Sequence, residues 1–249
     1  MFVAASSRCF PELPLDRCLD KLADLEYTAT EIVLGNRTND LHPEWIAADP
    51  DLMTRLCLSN RSIVPCSLFL DIEPDDPYFQ QKFNLCSQLA KRIKVALIIV
   101  RSAQLGTPYN EEVERLSRLT RIGVENGLLV AVLTEAGRFT EMPESICSMC
   151  RSLTNLKIAL DPSWFIFGKK KAVEFDSVMP YVSHIRLRDT TTSAFQVQIG
   201  QGVQEYGKLV VQLHKVHYNK ALCVDLAPLP DLNQESEMRK MRLLLESIL

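Results

Sequence analysis

The sequence predicts an α/β fold, a single (β/α)8 TIM barrel that spans residues 1–249. Apolar runs with the character of β-strands alternate strictly with amphipathic helical runs, which is the pattern of βαβ units around a parallel sheet. Eight such units in a chain of 249 residues match the number and size of this barrel. An open doubly wound sheet is the alternative, but it usually has fewer strands and a glycine-rich first turn, and residues 7–11 contain no glycine.

The hydrophobic pattern places the elements in order along the chain. Strands are predicted at residues 2–6, 30–34, 63–70, 95–100, 128–134, 156–160, 184–187 and 222–226. Helices are predicted at residues 15–25, 50–58, 77–92, 110–126, 143–153, 171–178, 206–216 and 234–248. Several helix starts have a proline in or near the first turn, where its missing N–H costs little: Pro14, Pro50, Pro77 and Pro143.

Composition argues against several classes of protein. The net charge of −3 gives no general basic field, which counts against a nucleic-acid partner held by phosphate neutralisation. No apolar run reaches the length of a membrane span, and the first residues lack the basic and apolar regions of a secretion signal. We therefore expect a cytoplasmic protein that binds neither nucleic acid nor membrane, and homo-oligomerisation stays open.

The eight cysteines are spread over a long chain, whereas a disulfide framework normally belongs to a small secreted domain. Cys147 and Cys150 form a lone C-x-x-C pair in a predicted helix, with no second pair at zinc spacing. We interpret them as ordinary helix cysteines in a reducing compartment.

The seventh predicted strand has two different faces. Ile185 and Leu187 point to one side, and His184, Arg186 and Arg188 point to the other. The apolar side suits packing against helices, so the basic side faces the interior of the barrel. Burying guanidinium groups is expensive unless anions meet them. The sequence therefore predicts that acidic side chains or a substrate face these arginines.

Other charged residues lie on strands or directly after them, where barrels of this class build active sites. These residues are Glu31, Arg101, Glu135, Asp161 and Asp225. On the sixth and eighth strands the parity places Asp161 and Asp225 on the inner face. We expect Glu135, Asp161 and Asp225 to converge, as a site for a hard cation or as partners of arginine. In the alternative interpretation each acid only ends a strand or caps the next helix.

In their order and spacing, these segments resemble the xylose isomerase-like barrels of sugar isomerases, sugar-phosphate epimerases and the related endonuclease IV fold. The resemblance covers most of the chain and rests on residues 9–15 (CFPELPL), 22–25 (LADL), 30–32 (TEI), 134–135 (TE), 160–164 (LDPSW), 184–189 (HIRLRD), 199–202 (IGQG) and Tyr218 through Asp225. An endonuclease of this kind needs several metals and many histidine ligands. This chain has only four histidines, so we do not expect it to be an endonuclease.

The resemblance implies one divalent metal, Mn, Mg, Zn or Co, and two acids that move a proton through an enediolate. Carried over by position, Glu135 and Asp161 match metal ligands and catalytic acids, and Asp225 matches a ligand that is usually glutamate. Arg186 stands where a lone-pair donor is expected, and Trp164 stands where a histidine often lies. Because arginine has no lone pair, we predict a degenerate site without a cofactor, in which Arg186 bridges the three acids.

The resemblance thus implies a sugar or sugar-phosphate isomerase or epimerase that acts on, or binds, a small polyhydroxy ligand. Glu135 and Asp161 are the expected catalytic residues. The expected substrate-binding residues are Arg186, Arg188, His184, Trp164 and Glu31. A non-catalytic, metal-free relative that binds a ligand or a partner is the alternative, so enzymatic activity stays open.

Three further motifs are interpreted as structural rather than functional. His214 and His217 are expected to give the end of a helix its polar character. The segment 200–202 (GQG) is interpreted as a plain turn before a helix, although barrels often bind phosphate there. Residues 169–171, three lysines, are interpreted as a solvated helix entry.

Overall fold

A closed barrel of eight parallel strands forms the centre of the molecule, as the computed structural model describes it for residues 1–170 and 173–249. The strands, in sequence order around the barrel, are β1 (Phe2–Ser6), β2 (Ala29–Gly35), β3 (Val64–Asp71), β4 (Leu97–Val100), β5 (Leu129–Leu133), β6 (Leu156–Leu160), β7 (Val182–Leu187) and β8 (Ala221–Val224). Pairing of β1 with β8 closes the barrel. The predicted α/β class and (β/α)8 topology are confirmed.

The described α-helices are α1 (Leu15–Asp24), α2 (Pro43–Ala48), α3 (Pro50–Cys57), α4 (Phe79–Arg92), α5 (Tyr109–Glu125), α6 (Pro143–Ser152), α7 (Tyr206–Lys215) and α8 (Gln234–Glu246). The sequence pattern missed α2, which is only six residues long. The helix predicted from Pro77 begins at Phe79 instead, because the Asp76 side chain accepts from the N–H of Tyr78 and forms a turn first.

The helix predicted at residues 171–178 is wrong over its described part. A 3₁₀ segment, Asp176–Tyr181, leads into β7 instead and includes Pro180, which cannot continue an α-helix. Residues 171–172, which include the last of the three consecutive lysines, lie outside the described residues.

Strand side chains alternate between an outer and an inner core. Outward-facing residues such as Ile98, Leu160 and Ile185 are fully buried against the helices. Inside, Phe69 and Ile99 belong to one apolar cluster. A second interior cluster has small side chains: Ala4, Ala29, Ala221 and Cys223, with Cys66 packed against it. The interior is therefore packed with side chains, and a cavity opens at the C-terminal ends of the strands.

The described residues include no helix that is both long enough and apolar enough to cross a membrane.

The turn at residues 200–202 closes on the chain itself. The backbone N–H groups of Gly200 and Gly202 donate to Oδ2 of Asp189, at 2.7 and 3.0 Å. These are the donors that a phosphate would need, and a carboxylate of the protein already binds them. Gly202 is required for this contact, because a Cβ atom there would overlap the Asp189 carboxylate.

We expect Gly202→Ala to lower the free energy of unfolding by about 1–3 kcal/mol, the usual range for an over-packed contact. Urea denaturation measures the change. Gly207→Ala in α7 is the matched control, since a Cβ there meets open space and alanine favours the helix. Equal losses for the two variants would contradict the proposed contact.

Candidate active site at the barrel mouth

A cavity of about 310 Å³ opens at the C-terminal ends of the strands. Its charged lining residues are Arg8, Arg37, Arg101, Glu135, Asp161, Arg186, Arg188 and Asp225, and its aromatic ones are Phe69, Trp164 and Phe195. The sequence-derived site residues are therefore brought together here, except for Glu31 and His184. Those two lie deeper in the barrel and are buried.

The deepest part of the site is an ion pair between Arg186 on β7 and Glu31 on β2. The register of the β2–β3 ladder is irregular between Thr30 and Glu31. Glu31 and Arg186 are both buried. Arg186 donates from Nη2 to Oε1 and from Nε to Oε2, the latter at 3.3 Å. Its guanidinium carbon also lies 4.0 Å from the centre of the Phe69 ring. Burial raises the pKa of Glu31, but Arg186 and His184 together outweigh it and hold that pKa below its ordinary value.

Arg188 lies one step higher and joins two of the predicted acids. Its Nη2 donates to Asp161 at 3.0 Å and to Asp225 at 2.6 Å. Arg186 approaches Asp225 only at 3.9 Å. The expectation that Arg186 bridges the acids is therefore wrong. Asp161 and Asp225 stand directly after their strands, and Arg188, the first residue after β7, reaches their level.

Glu135 belongs to a separate part of the network. Its carboxylate lies 2.8 Å from Nε of Arg138 and 3.5 Å from Nη1 of Arg101. The three predicted acids thus line one cavity, but each is paired with arginine rather than with one another.

Sequence reasoning missed several members of this network. Arg8 pairs with Asp40 and Asp71, and Arg101 also pairs with Asp71. Asp71 is the last residue of β3, so the strand-end criterion that selected the other acids would have found it. Arg138 lies in the loop after β5, where no periodicity marks it.

No protein-family model and no curated protein sequence matches this chain. Solved structures do match it over nearly the whole length of both chains. The IolI protein with a bound zinc atom is 16% identical, with a TM-score of 0.76, and the match covers 100% of this chain and 98% of that one. A xylose isomerase domain protein from Alicyclobacillus acidocaldarius is 15% identical, with a TM-score of 0.74 and the same coverage. D-psicose 3-epimerase from Clostridium cellulolyticum, solved with D-tagatose, is 10% identical, with a TM-score of 0.74 and coverage of 100% and 99%.

The chain has the xylose isomerase-like TIM barrel fold. In this barrel the mouth acids offer little to a divalent cation, since oxygens of Asp161 and Asp225 accept from Arg188, and Glu135 lies between two arginines. Within the described residues, the group of potential ligand atoms that lie within 4.8 Å of one another is a different one: Glu31, His184 and Cys223.

The carboxyl groups at the barrel mouth are not equivalent. Burial raises the pKa of Asp161 and of Glu135, and the neighbouring arginines do not fully offset it. Burial acts on Asp225 too, but Arg188 and Arg186 together hold its pKa below the ordinary value. A carboxyl group with a raised pKa exchanges protons closer to neutral pH. Glu135 and Asp161 are therefore two mouth acids whose pKa lies closer to neutral pH than usual.

Removing one partner of the deepest ion pair is expected to destabilise the fold strongly. Arg186→Met leaves the Glu31 carboxylate buried without its main partner, so we expect a loss of about 3–5 kcal/mol in the free energy of unfolding. Glu31→Gln combined with Arg186→Met should cost less than the sum of the two single changes, because neither then leaves an unpaired charge. Urea denaturation of all four proteins measures this.

The control for this cycle is Arg118→Met, the same substitution at an exposed position of α5 whose ion pair is 4.0 Å long. Its stability should hardly change. Simple additivity of the Glu31 and Arg186 changes would argue against a coupled pair.

Proposed function

We propose that this barrel binds a small polyhydroxy ligand, a sugar or a sugar phosphate, at its mouth without a divalent cation. The observation that carries the proposal is the position of Arg188, whose Nη2 donates to both Asp161 and Asp225. These two acids stand at the places where the family resemblance implies metal ligands. A guanidinium cannot bind a cation, and its fixed positive charge opposes one nearby.

The arginines nevertheless supply positive charge and hydrogen-bond donors to ligand oxygens, which a metal would otherwise bind. Arg188 lines the cavity, and its buried Nε has no hydrogen-bond partner among the described residues, so a movement of the side chain would present an unused donor to a ligand oxygen. Sugar hydroxyl and phosphate oxygens are suitable acceptors for such donors. A degenerate metal site that still recognises oxygen-rich ligands is consistent with this donor set.

Aromatic side chains supply the apolar part of the site. Trp164 and Phe195 lie with ring centres 4.2 Å apart, and the Phe195 ring lies 4.5 Å from the guanidinium carbon of Arg188. Both rings line the cavity. Small-ligand sites commonly combine an apolar wall with a few directed polar groups. The carbohydrate class is further supported by the matching epimerase, whose structure contains D-tagatose.

The chain has two tryptophans, which allows a direct binding test. In a Trp45→Phe protein, Trp164 is the single tryptophan and it lines the mouth. We expect its fluorescence to change with at least one member of a panel of aldoses, ketoses and their phosphates. The dissociation constant should be the same with and without a chelator, because the proposed site needs no divalent cation.

The matched control is Trp164→Phe, in which only Trp45 on α2 reports, and no ligand-dependent signal is expected from it. Calorimetry on the unmodified protein provides an independent measurement. Absence of binding across the panel, or binding that disappears with the chelator, would overturn the proposal.

The raised pKa values of Glu135 and Asp161 favour a second candidate, a metal-independent isomerase or epimerase. One carboxylate would remove the proton from the carbon next to the ligand carbonyl, and a carboxyl group would return a proton to the enediolate. Arg101 and Arg188 line the same cavity and would face the negative charge that develops.

For this candidate we expect exchange of solvent deuterium into a ligand at the carbon next to the carbonyl. The rate should fall as the pH drops below the raised pKa of Glu135, because only the deprotonated group acts as a base. Glu135→Gln should lower the rate at least tenfold while binding persists. Mass spectrometry or NMR detects the exchange.

Glu141→Gln is the control here, since Glu141 follows Glu135 in the same loop region but pairs with Lys169. Its exchange rate should match that of the unmodified protein. If no bound ligand exchanges at any pH, the second candidate fails and ligand binding alone remains.

A further inference from the structure

We propose that a zinc ion binds inside the barrel, below the mouth, between Glu31, His184 and Cys223. A carboxylate oxygen, an imidazole nitrogen and a thiol sulfur from these residues all lie within 4.8 Å of one another, and all three residues are buried. The site is distinct from the mouth acids and does not depend on the function proposed for them.

Strand register brings these groups together. Arg186 on β7 pairs with Cys223 on β8, and His184 precedes Arg186 by two residues, so it faces the same interior. The irregularity between Thr30 and Glu31 occurs where Glu31 enters this space from β2. Three separate strands of a rigid barrel therefore each contribute one potential ligand atom.

The polar atoms in this space are poorly satisfied without an ion. Nε2 of His184 lies 3.0 Å from Oε2 of Glu31 but not along a hydrogen-bond direction, and it has no hydrogen-bond partner among the described residues. The thiol of Cys223 makes only a long contact, 3.8 Å, to the carbonyl of Val224. A buried imidazole nitrogen without a hydrogen-bond partner is unusual, and it offers a lone pair to an ion in this space.

The donor set selects the metal. Imidazole, thiolate and carboxylate together suit Zn²⁺, whereas Mg²⁺ and Ca²⁺ prefer oxygen ligands only. With zinc–ligand bonds of about 2.0–2.3 Å, tetrahedral ligand atoms stand about 3–4 Å apart, so small side-chain adjustments close the present spacing. Binding replaces the S–H proton of Cys223 by a Zn–S bond and releases that proton. Arg186 and Arg188 with Glu31, Asp161 and Asp225 form a network of two cations and three anions, with a net charge of −1. The ion and the Cys223 thiolate together add one positive charge, so the network as a whole becomes neutral.

Two neighbouring residues, Arg186 and Cys66, lie beside the proposed zinc site. Arg186 donates to both oxygens of Glu31 and fixes the orientation of the carboxylate, as supporting hydrogen bonds do in many metal sites. Oε2, which makes the longer of these two bonds, is the oxygen that lies 3.0 Å from His184. Cys66 packs against the small-residue cluster that contains Cys223 and brings a second thiol to this part of the barrel. Because the three ligands are buried, we expect zinc to enter during folding rather than by diffusion into the folded barrel.

The test uses the full chain, refolded from denaturant with Zn²⁺ or with Co²⁺ as a spectroscopic substitute. One zinc per chain is expected by elemental analysis after exhaustive dialysis. The Co²⁺ form should show a sulfur-to-cobalt charge-transfer band and the visible bands of a tetrahedral site. Cys223→Ser should remove the charge-transfer band and weaken metal binding at least tenfold.

Cys86→Ser is the matched control, because Cys86 is equally buried but lies on α4, outside the barrel interior. It should keep both the metal and the band. If Cys223→Ser does not fold, X-ray absorption at the zinc edge of the unmodified protein still decides, since the mouth cavity is not lined by cysteine and a sulfur ligand is expected only from the interior.

The outcomes separate this inference from the proposed function. Metal that is lost in Asp161→Asn but kept in Cys223→Ser would overturn both, because the ion would then sit at the mouth. Metal that is absent altogether would overturn the interior site and leave the metal-free mouth intact. Metal bound without sulfur would overturn the interior site, and its loss in Asp161→Asn would overturn the metal-free mouth as well. Metal kept in Asp161→Asn and lost in Cys223→Ser supports both.

Discussion

The ion pair between Arg186 and Glu31 is the interaction on which the rest of the interior depends. Both side chains are almost completely buried, so each charge is tolerable only because the other is present. The pair begins an alternating series of charges that rises toward solvent. Arg186 approaches Asp225, Asp225 accepts from Arg188, and Arg188 also donates to Asp161. Removal of Arg186 would leave the Glu31 carboxylate buried without its main partner, and Asp225 would lose one of its neighbouring cations.

This alternation constrains the chemistry of the mouth. Where acids are matched by internal cations, their oxygens are occupied and a mobile divalent ion has little to gain. In the proposed binding mode, a ligand is recognised by the donors that remain, such as Nε of Arg188, and by the rings of Trp164 and Phe195. Directed hydrogen bonds together with an apolar wall favour a small molecule with many oxygens over a simple anion.

Much of this arrangement could be predicted from the sequence, and the failures have physical causes. The period-two pattern of β7 correctly placed His184 and Arg186 inside, because side-chain alternation in a strand is a local property. The partner of Arg186 was wrong because it depends on the depth of Glu31 in a neighbouring strand, next to a register irregularity that no local pattern encodes. Arg138 was missed for a related reason, since its position depends on how a loop folds back over the barrel.

The two sites proposed here differ in donor chemistry rather than in the number of acids. At the mouth the donors are oxygens, and arginine already supplies them with positive charge. In the interior the donors are an oxygen, a nitrogen and a sulfur, and arginine holds mainly one oxygen of Glu31 while the imidazole nitrogen stays unsatisfied. The guanidinium group of arginine only donates hydrogen bonds, so it is not a metal ligand. Zn²⁺, by contrast, binds imidazole nitrogen and thiolate sulfur in the same site. The two proposals therefore differ in which ligand atoms remain for a metal: at the mouth they are carboxylate oxygens that arginine binds, and in the interior they include a nitrogen and a sulfur that arginine does not bind.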